Sequence, residues 1–113
     1  MAKEYDLEER TERFAKDVIQ FCKKVLKGVI NIELIRQAVR ASGSVGANYI
    51  EANEALSKKD FFYRIKICRK EAKESRYWLR LLLSANSAAE EEAKLLIKEA
   101  TELMNIFGAI LKK

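Results

Sequence analysis

The side chains best suited to chemistry in this sequence are its cysteines and two pairs of glutamates at helical spacing. Glu51 and Glu54, like Glu71 and Glu74, stand three residues apart, a spacing that di-metal bundles use together with histidines. The chain contains no histidine, so neither pair completes that motif, and a thiol nucleophile would lack its basic partner. Acid–base catalysis by carboxylates alone needs no histidine, but the spacing singles out no such pair. The sequence therefore predicts no catalytic residues, no metal and no cofactor.

Basic residues are concentrated in one segment. Residues 57–84 carry nine Lys and Arg against three acids, a net charge of +6, whereas the whole chain carries +5. On a helix, seven of these cations fall on the side and back opposite the apolar stripe. A one-sided basic helix attracts polyanions without any catalytic site. The candidate nucleic-acid-binding residues are Lys59, Lys66, Arg69, Lys70, Lys73, Arg76 and Arg80.

Four helices must position these cations, because apolar residues recur every three or four positions along four stretches. Their predicted bounds are about 7–27, 32–56, 58–84 and 88–111. Helices of similar length joined by short loops are typical of an all-α, up-down-up-down antiparallel four-helix bundle, here a single domain over residues 1–113. The inward stripe of the second helix is predicted to run from Ile35 to Leu56.

Residues that favour helix ends lie at each predicted break. Gly28 is predicted to stop the first helix and Asn31 to cap the second. Ser57 with Asp60 three residues later is typical of a helix start, and the segment Ser87–Glu90 has the pattern of a capping box.

Two glycines, Gly43 and Gly46, lie inside the second predicted helix, where each costs about 1 kcal/mol relative to alanine. They favour either the close approach of another backbone or a local kink, and the sequence does not distinguish the two.

The basic segment has a second apolar flank that a monomeric bundle does not need. It contains the single Trp and lies among the acids of this helix, and aromatic residues are enriched in interface cores. We predict a subunit interface there; contact with a neighbouring helix of the same chain is the alternative. The flank consists of Tyr63, Ile67, Trp78 and Leu81.

The composition indicates the cellular compartment. No apolar run approaches the ~20 residues that a membrane span requires, and the N-terminal residues lack the apolar stretch of a signal peptide. Cys22 and Cys68 lie within apolar helical patterns, which predicts free, buried thiols. We therefore expect a cytoplasmic protein that has no contact with membranes.

Three segments resemble a bacterial protein family. They are RQAVRASGSVGANYIEA at 36–52, SKKDF at 57–61 and KEAKESRYWL at 70–79. They are similar to the small four-helix-bundle proteins encoded in intervening sequences of 23S ribosomal RNA genes, and to the related accessory variability proteins of diversity-generating retroelements. The resemblance implies a homopentameric ring with a basic surface that contacts nucleic acid. For the retroelement relatives it implies binding to a reverse transcriptase together with RNA or DNA.

Three functional hypotheses follow. The first is a non-enzymatic, oligomeric protein that binds structured RNA or single strands with little sequence specificity. The second is a protein-binding adaptor, for example an accessory subunit of a reverse transcriptase. The third is a structural bundle whose basic face is solvated and partly neutralised by acids of the fourth helix, namely Glu91, Glu92, Glu99 and Glu102.

Overall fold

The four apolar stripes fold into four α-helices. The computed structural model describes residues 2–87 and 89–113, with side chains from residue 7 onward, and contains no strand within those residues. The helices are α1 (Ala2–Lys24), α2 (Val29–Asn53), α3 (Lys58–Ala85) and α4 (Glu90–Leu111). The predicted all-α class is confirmed.

The helices pack in chain order around one core. Each contacts its neighbour in sequence, and α4 returns to contact α1. At one end of the α2–α3 pair, the amides of Asn31 and Asn86 donate to each other at 2.9 and 3.0 Å. Because Asn31 is near the start of α2 and Asn86 follows α3, these helices are antiparallel. The result is an antiparallel four-helix bundle with extents of 44 × 24 × 20 Å.

The predicted inward positions form the core, with one exception. Leu56 is 98% exposed, because α2 ends at Asn53 and the chain needs residues 54–57 to turn into α3. The apolar period continues through Leu56, but the helix does not. The largest buried apolar side chains are Phe14, Phe21, Phe107, Ile65, Leu79, Leu82 and Leu103.

The start of α3 agrees with the cap predicted from the sequence, whereas the starts of α2 and α4 differ from their predicted caps. The Ser57 hydroxyl accepts a hydrogen bond from the Asp60 backbone N–H at 3.0 Å, so this cap is confirmed. The prediction for α2 is wrong: Gly28 is its N-cap residue, and Asn31 lies inside the helix. Asn31 instead donates to the Leu26 carbonyl at 3.0 Å, which ties the preceding loop to the helix.

The capping box predicted for α4 does not form. The helix begins at Glu90, preceded by Ala89 in the left-handed region at φ 60° and ψ 33°, and no side chain caps it. Glu90 is therefore the first helical residue, whereas a capping box needs it at the third. Three glutamates in the first turn complement the positive end of the helix dipole in place of a cap.

The two glycines of α2 differ in their surroundings. A Cβ atom on Gly46 would lie 3.0 Å from Thr11 Oγ1, whereas one on Gly43 would meet no atom within 4 Å. Gly46 therefore permits the close approach of α1, and α2 runs as one helix through both residues.

Candidate nucleic-acid interface

The cations of α3 point away from the core. The inward stripe of this helix, including Ile65, Cys68 and Ala72, is fully buried, and the cations lie outside it. Arg76 is half-buried, and the other six candidates are exposed: Lys59, Lys66, Arg69, Lys70, Lys73 and Arg80.

The acids of α3 lie on the other flank, against α2. Arg40 of α2 donates to Glu71 Oε1 at 3.4 Å and to Glu74 Oε1 at 3.2 Å. The Glu71 side chain is only 9% exposed, so this arginine covers a largely buried carboxylate. The two flanks of α3 are thus separated by charge, as their angular positions on the helix predict.

Three acids of α4 pair with α1 rather than with α3. Arg10 donates to Glu99 at 2.7 Å and to Glu102 at 2.8 Å, and Lys24 lies 3.0 Å from Glu92. The hydrogen bond that the Arg10 guanidinium donates to Glu99 raises the pKa of Arg10 above its ordinary value. The hypothesis that these carboxylates neutralise the basic face is therefore wrong for all three. The cause is the rotation of α4 about its axis, which turns the side of the helix that carries these three acids toward α1.

Few of the α3 cations have partners of their own. Arg76 donates to the Thr101 hydroxyl of α4 at 3.3 Å, and Lys70 Nζ lies 3.8 Å from Glu71, beyond hydrogen-bond distance. Within the described part of the chain, the remaining five candidates make no ion pair: Lys59, Lys66, Arg69, Lys73 and Arg80. Their charges face solvent.

A groove of about 740 Å³ separates part of this face from α4. Helix α3 contributes Lys66, Arg69, Lys70 and Lys73; helix α4 contributes Met104, Asn105, Gly108, Ala109 and Lys112. Five of these nine residues are cations and none is an acid. The sequence-based prediction missed the α4 side. The sequence feature that could have indicated this side is the seven-residue spacing of Asn105 and Lys112, which places both residues on one side of a helix.

The apolar flank of α3 is largely covered within the chain. Trp78 is half-buried and packs against the core, and Ile67 and Leu81 are also half-buried. Tyr63 remains 59% exposed. Packing within the chain therefore accounts for much of the burial of Trp78. A subunit interface through Tyr63 remains a prediction.

The thiols are placed as predicted. Cys22 and Cys68 are free and buried, and burial raises their pKa values to about 11 and about 12. In the part of the chain that the structure describes, no three His, Cys, Asp or Glu side chains lie close enough together to hold a metal ion. No helix searched there is long and apolar enough to cross a membrane.

Comparisons with known proteins agree with this architecture. The sequence model of the 23S rRNA-intervening sequence proteins matches residues 3–109. A solved structure with the same fold is that of a protein of unknown function from the S23 ribosomal protein family of Bacteroides thetaiotaomicron VPI-5482. It is 28% identical, with a TM-score of 0.82 over 94% of this chain and 98% of that one. No curated protein matches the sequence.

Proposed function

The chain belongs to the 23S rRNA-intervening sequence protein family, and we propose that it is a non-enzymatic cytoplasmic protein that binds nucleic acid through helix α3. The observation that carries the proposal is the separation of charge around this helix. Seven cations share its outer face, while two acids of α3 pair with α2 and three acids of α4 pair with α1. A polyanion that approaches this face meets positive charge over its whole length.

The geometry favours contacts to phosphates over reading of bases. Lysine and arginine side chains on one exposed helix face can contact the phosphates of a nucleic-acid backbone. Such contacts fix the position of the protein on the nucleic acid without reading its sequence. Tyr77 is 55% exposed on the same face and can stack on an unpaired base. Structured RNA and single strands, with little sequence preference, are therefore the expected ligands.

Self-association is part of the proposal. The resemblance to ring-forming relatives and the exposed ring of Tyr63 support a homo-oligomer, with a pentamer as the expected size. Several copies of the basic face in one particle would raise the affinity for a long polyanion by avidity.

The salt dependence of binding tests the proposal. If seven cations each meet one phosphate of a single strand, log K falls against log[salt] with a slope of about −5, at roughly 0.7 per contact. We would titrate a labelled RNA hairpin and a single-stranded DNA from low to high salt. A flat plot, or no binding of either probe at low salt, would contradict the proposal.

Charge-reversed variants locate the binding surface. Replacing Lys66, Lys73 and Arg80 together by Glu is expected to abolish binding with helicity and particle size unchanged. The matched control replaces three exposed cations of α1 and the loop that follows it, Arg13, Lys23 and Lys27, by Glu. It changes the net charge equally but lies on the far side of the bundle, since α1 does not contact α3 among the described residues. Equal loss in both variants would show that net charge alone, not α3, drives association. Loss of helicity in the α3 variant alone would favour the purely structural bundle.

A protein-binding adaptor is the second candidate, because one end of the bundle exposes apolar side chains. Leu26 in the connection between α1 and α2 is 81% exposed, and Val29 and Ile30 at the start of α2 are 89% and 70% exposed. A partner protein such as a reverse transcriptase would cover them. Pull-down from native cells after nuclease treatment separates the candidates, since an adaptor retains its partner and a nucleic-acid tether does not.

A further inference from the structure

We propose that the groove between α3 and α4 holds the sugar-phosphate backbone of a single nucleic-acid strand, with Lys112 as a phosphate contact opposite the α3 cations. The inference rests on the proposed function and deepens it in two respects. It adds a second helix to the binding surface, and it places one strand, rather than a duplex, inside the site.

The charges lining the groove come from both of its sides. Lys66, Arg69, Lys70 and Lys73 line the α3 side, and Lys112 lies on the α4 side near the chain end. With no carboxylate in the lining, every charged group there attracts phosphate. Asn105 adds an exposed side-chain amide, which can donate to a phosphate oxygen or a ribose hydroxyl.

The floor of the groove is shaped by a missing side chain. Gly108 leaves the α4 backbone open, and the nearest atoms to a Cβ built there are Cδ and Nη1 of Arg69, both at 3.9 Å. A strand can therefore approach the α4 backbone beside Arg69, whose side chain lies within van der Waals distance of this position. The 740 Å³ volume lies within the range of about 300–1,000 Å³ typical of ligand sites.

The size of the groove favours a single strand. Its volume is about 740 Å³, whereas the major groove of a duplex alone is ~12 Å wide, so a whole duplex is too broad to be held inside. A duplex can rest on the rim but cannot enter. Along its length, Lys66 and Lys73 are seven residues apart, about 10 Å on a helix, which matches about three phosphates of a stacked strand.

The lining also predicts which way the bases face. No aromatic side chain lines the groove, whereas sites that hold bases of single strands use aromatic stacking platforms. The backbone therefore lies inward and the bases outward, toward the exposed Tyr77 beyond the groove. This orientation predicts equal affinity for different base sequences.

Blocking the groove without changing charge tests the inference. Gly108→Leu fills it, and Gly43→Leu is the matched control, since Gly43 is exposed on α2 with no atom within 4 Å of an added Cβ. The probes are labelled oligothymidylate of about 15 nucleotides, long enough for one site, and a DNA duplex of equal length. We expect Gly108→Leu to weaken binding of the single strand by on the order of tenfold or more. Duplex binding should change much less, and Gly43→Leu should leave both unchanged.

Neutralising Lys112 provides an independent test. Lys112→Gln is expected to reduce the salt slope for oligothymidylate by about 0.7, the share of one phosphate. The control, Lys23→Gln, removes an exposed lysine from α1 and should leave the slope unchanged. Because Lys112 follows the last helical residue, its replacement is not expected to disturb α4. This variant therefore tests the groove even if Gly108→Leu loses helicity.

The outcomes distinguish failure of the groove from failure of the function. Suppose that the unmodified protein binds and the α3 charge reversal abolishes binding, but Gly108→Leu and Lys112→Gln behave like their controls. The groove is then refuted as the binding site, and the basic face of α3 is retained as the proposed binding surface. If the unmodified protein binds neither probe, the proposed function itself fails. Equal weakening of duplex and single strand by Gly108→Leu would overturn the single-strand assignment.

Discussion

Gly43 and Gly46 lie one turn apart in helix α2, and their surroundings predict opposite effects for the same substitution. Replacing a helical glycine by alanine stabilises a helix by about 1 kcal/mol, because the unfolded chain loses conformational freedom. At Gly43 the new methyl group meets no atom within 4 Å, so the full gain is expected. For a domain of this size that corresponds to a rise in Tm of about 4 °C.

At Gly46 the gain is offset by a steric contact. The added Cβ would lie 3.0 Å from Oγ1 and 3.4 Å from Cβ of Thr11. Thr11 is fully buried, and its hydroxyl donates to the Glu8 carbonyl at 3.0 Å, so the side chain has little room to move. Overpacking of this kind costs about 1–3 kcal/mol, which leaves Gly46→Ala about 1 kcal/mol less stable than the unmodified protein. The two alanine variants should then differ by about 2 kcal/mol.

Urea denaturation followed by far-UV circular dichroism measures both values at one protein concentration. Light scattering of each variant checks that particle size is unchanged. If Gly46→Ala proves as stable as Gly43→Ala, the close approach of α1 at Gly46 is refuted.

A second substitution identifies the contact itself. Thr11→Ala removes the hydroxyl, so adding Gly46→Ala to that background should cost less by about 1 kcal/mol. Thr11→Ser retains the hydroxyl and is the matched control, in which no rescue is expected.

Two further predictions concern the thiols and a buried carboxylate. Cys22 and Cys68 should resist thiol reagents at neutral pH until the protein unfolds, because burial raises their pKa values to about 11 and about 12. Since the ordinary thiol pKa is 9.0, the unfolded chain loses these protons first, and the free energy of unfolding should fall as the pH rises above about 9. Labelling in native buffer as fast as in urea would contradict the burial. Arg40→Gln should cost about 1–3 kcal/mol, because it removes two hydrogen bonds to α3 carboxylates and leaves the largely buried Glu71 poorly compensated. Arg36→Gln breaks only an exposed pair at 3.7 Å and should cost under about 0.5 kcal/mol, and equal costs in urea denaturation would refute the distinction.

Helical periodicity predicts the interior of this bundle well and the ends of its helices poorly. Burial depends on the repeated spacing of many apolar side chains, so no single residue decides it. A helix end depends on one cap and on where the next helix must begin. Leu56 continues the apolar period, yet the four-residue connection to α3 takes it into solvent. Asn31 is a good cap by type, but its amide is used to tie the loop and to bond Asn86.

The same limit explains why half of the candidate site was missed. The cations of α3 can be assigned to one face from a single helix, because their angular positions require no partner. The groove needs the rotation of α4 relative to α3, which packing sets and the sequence of α4 alone does not reveal. On α4, the acids Glu92 and Glu99 flank one side of the buried stripe, and Gly108 and Lys112 flank the other. Periodicity separates these two sides but does not say which neighbour each one faces.

That rotation determines the electrostatics of the whole face. Had α4 turned its glutamates toward α3, the same composition and the same net charge would give a basic helix lined by carboxylates. The ion pairs of Arg10 and Lys24 with α4 fix the other arrangement, in which α1 takes the acids and the α3–α4 groove keeps only cations. The proposed binding of polyanions therefore depends on helix packing. Net charge alone does not predict it, because the field at a surface depends on where the opposite charges lie.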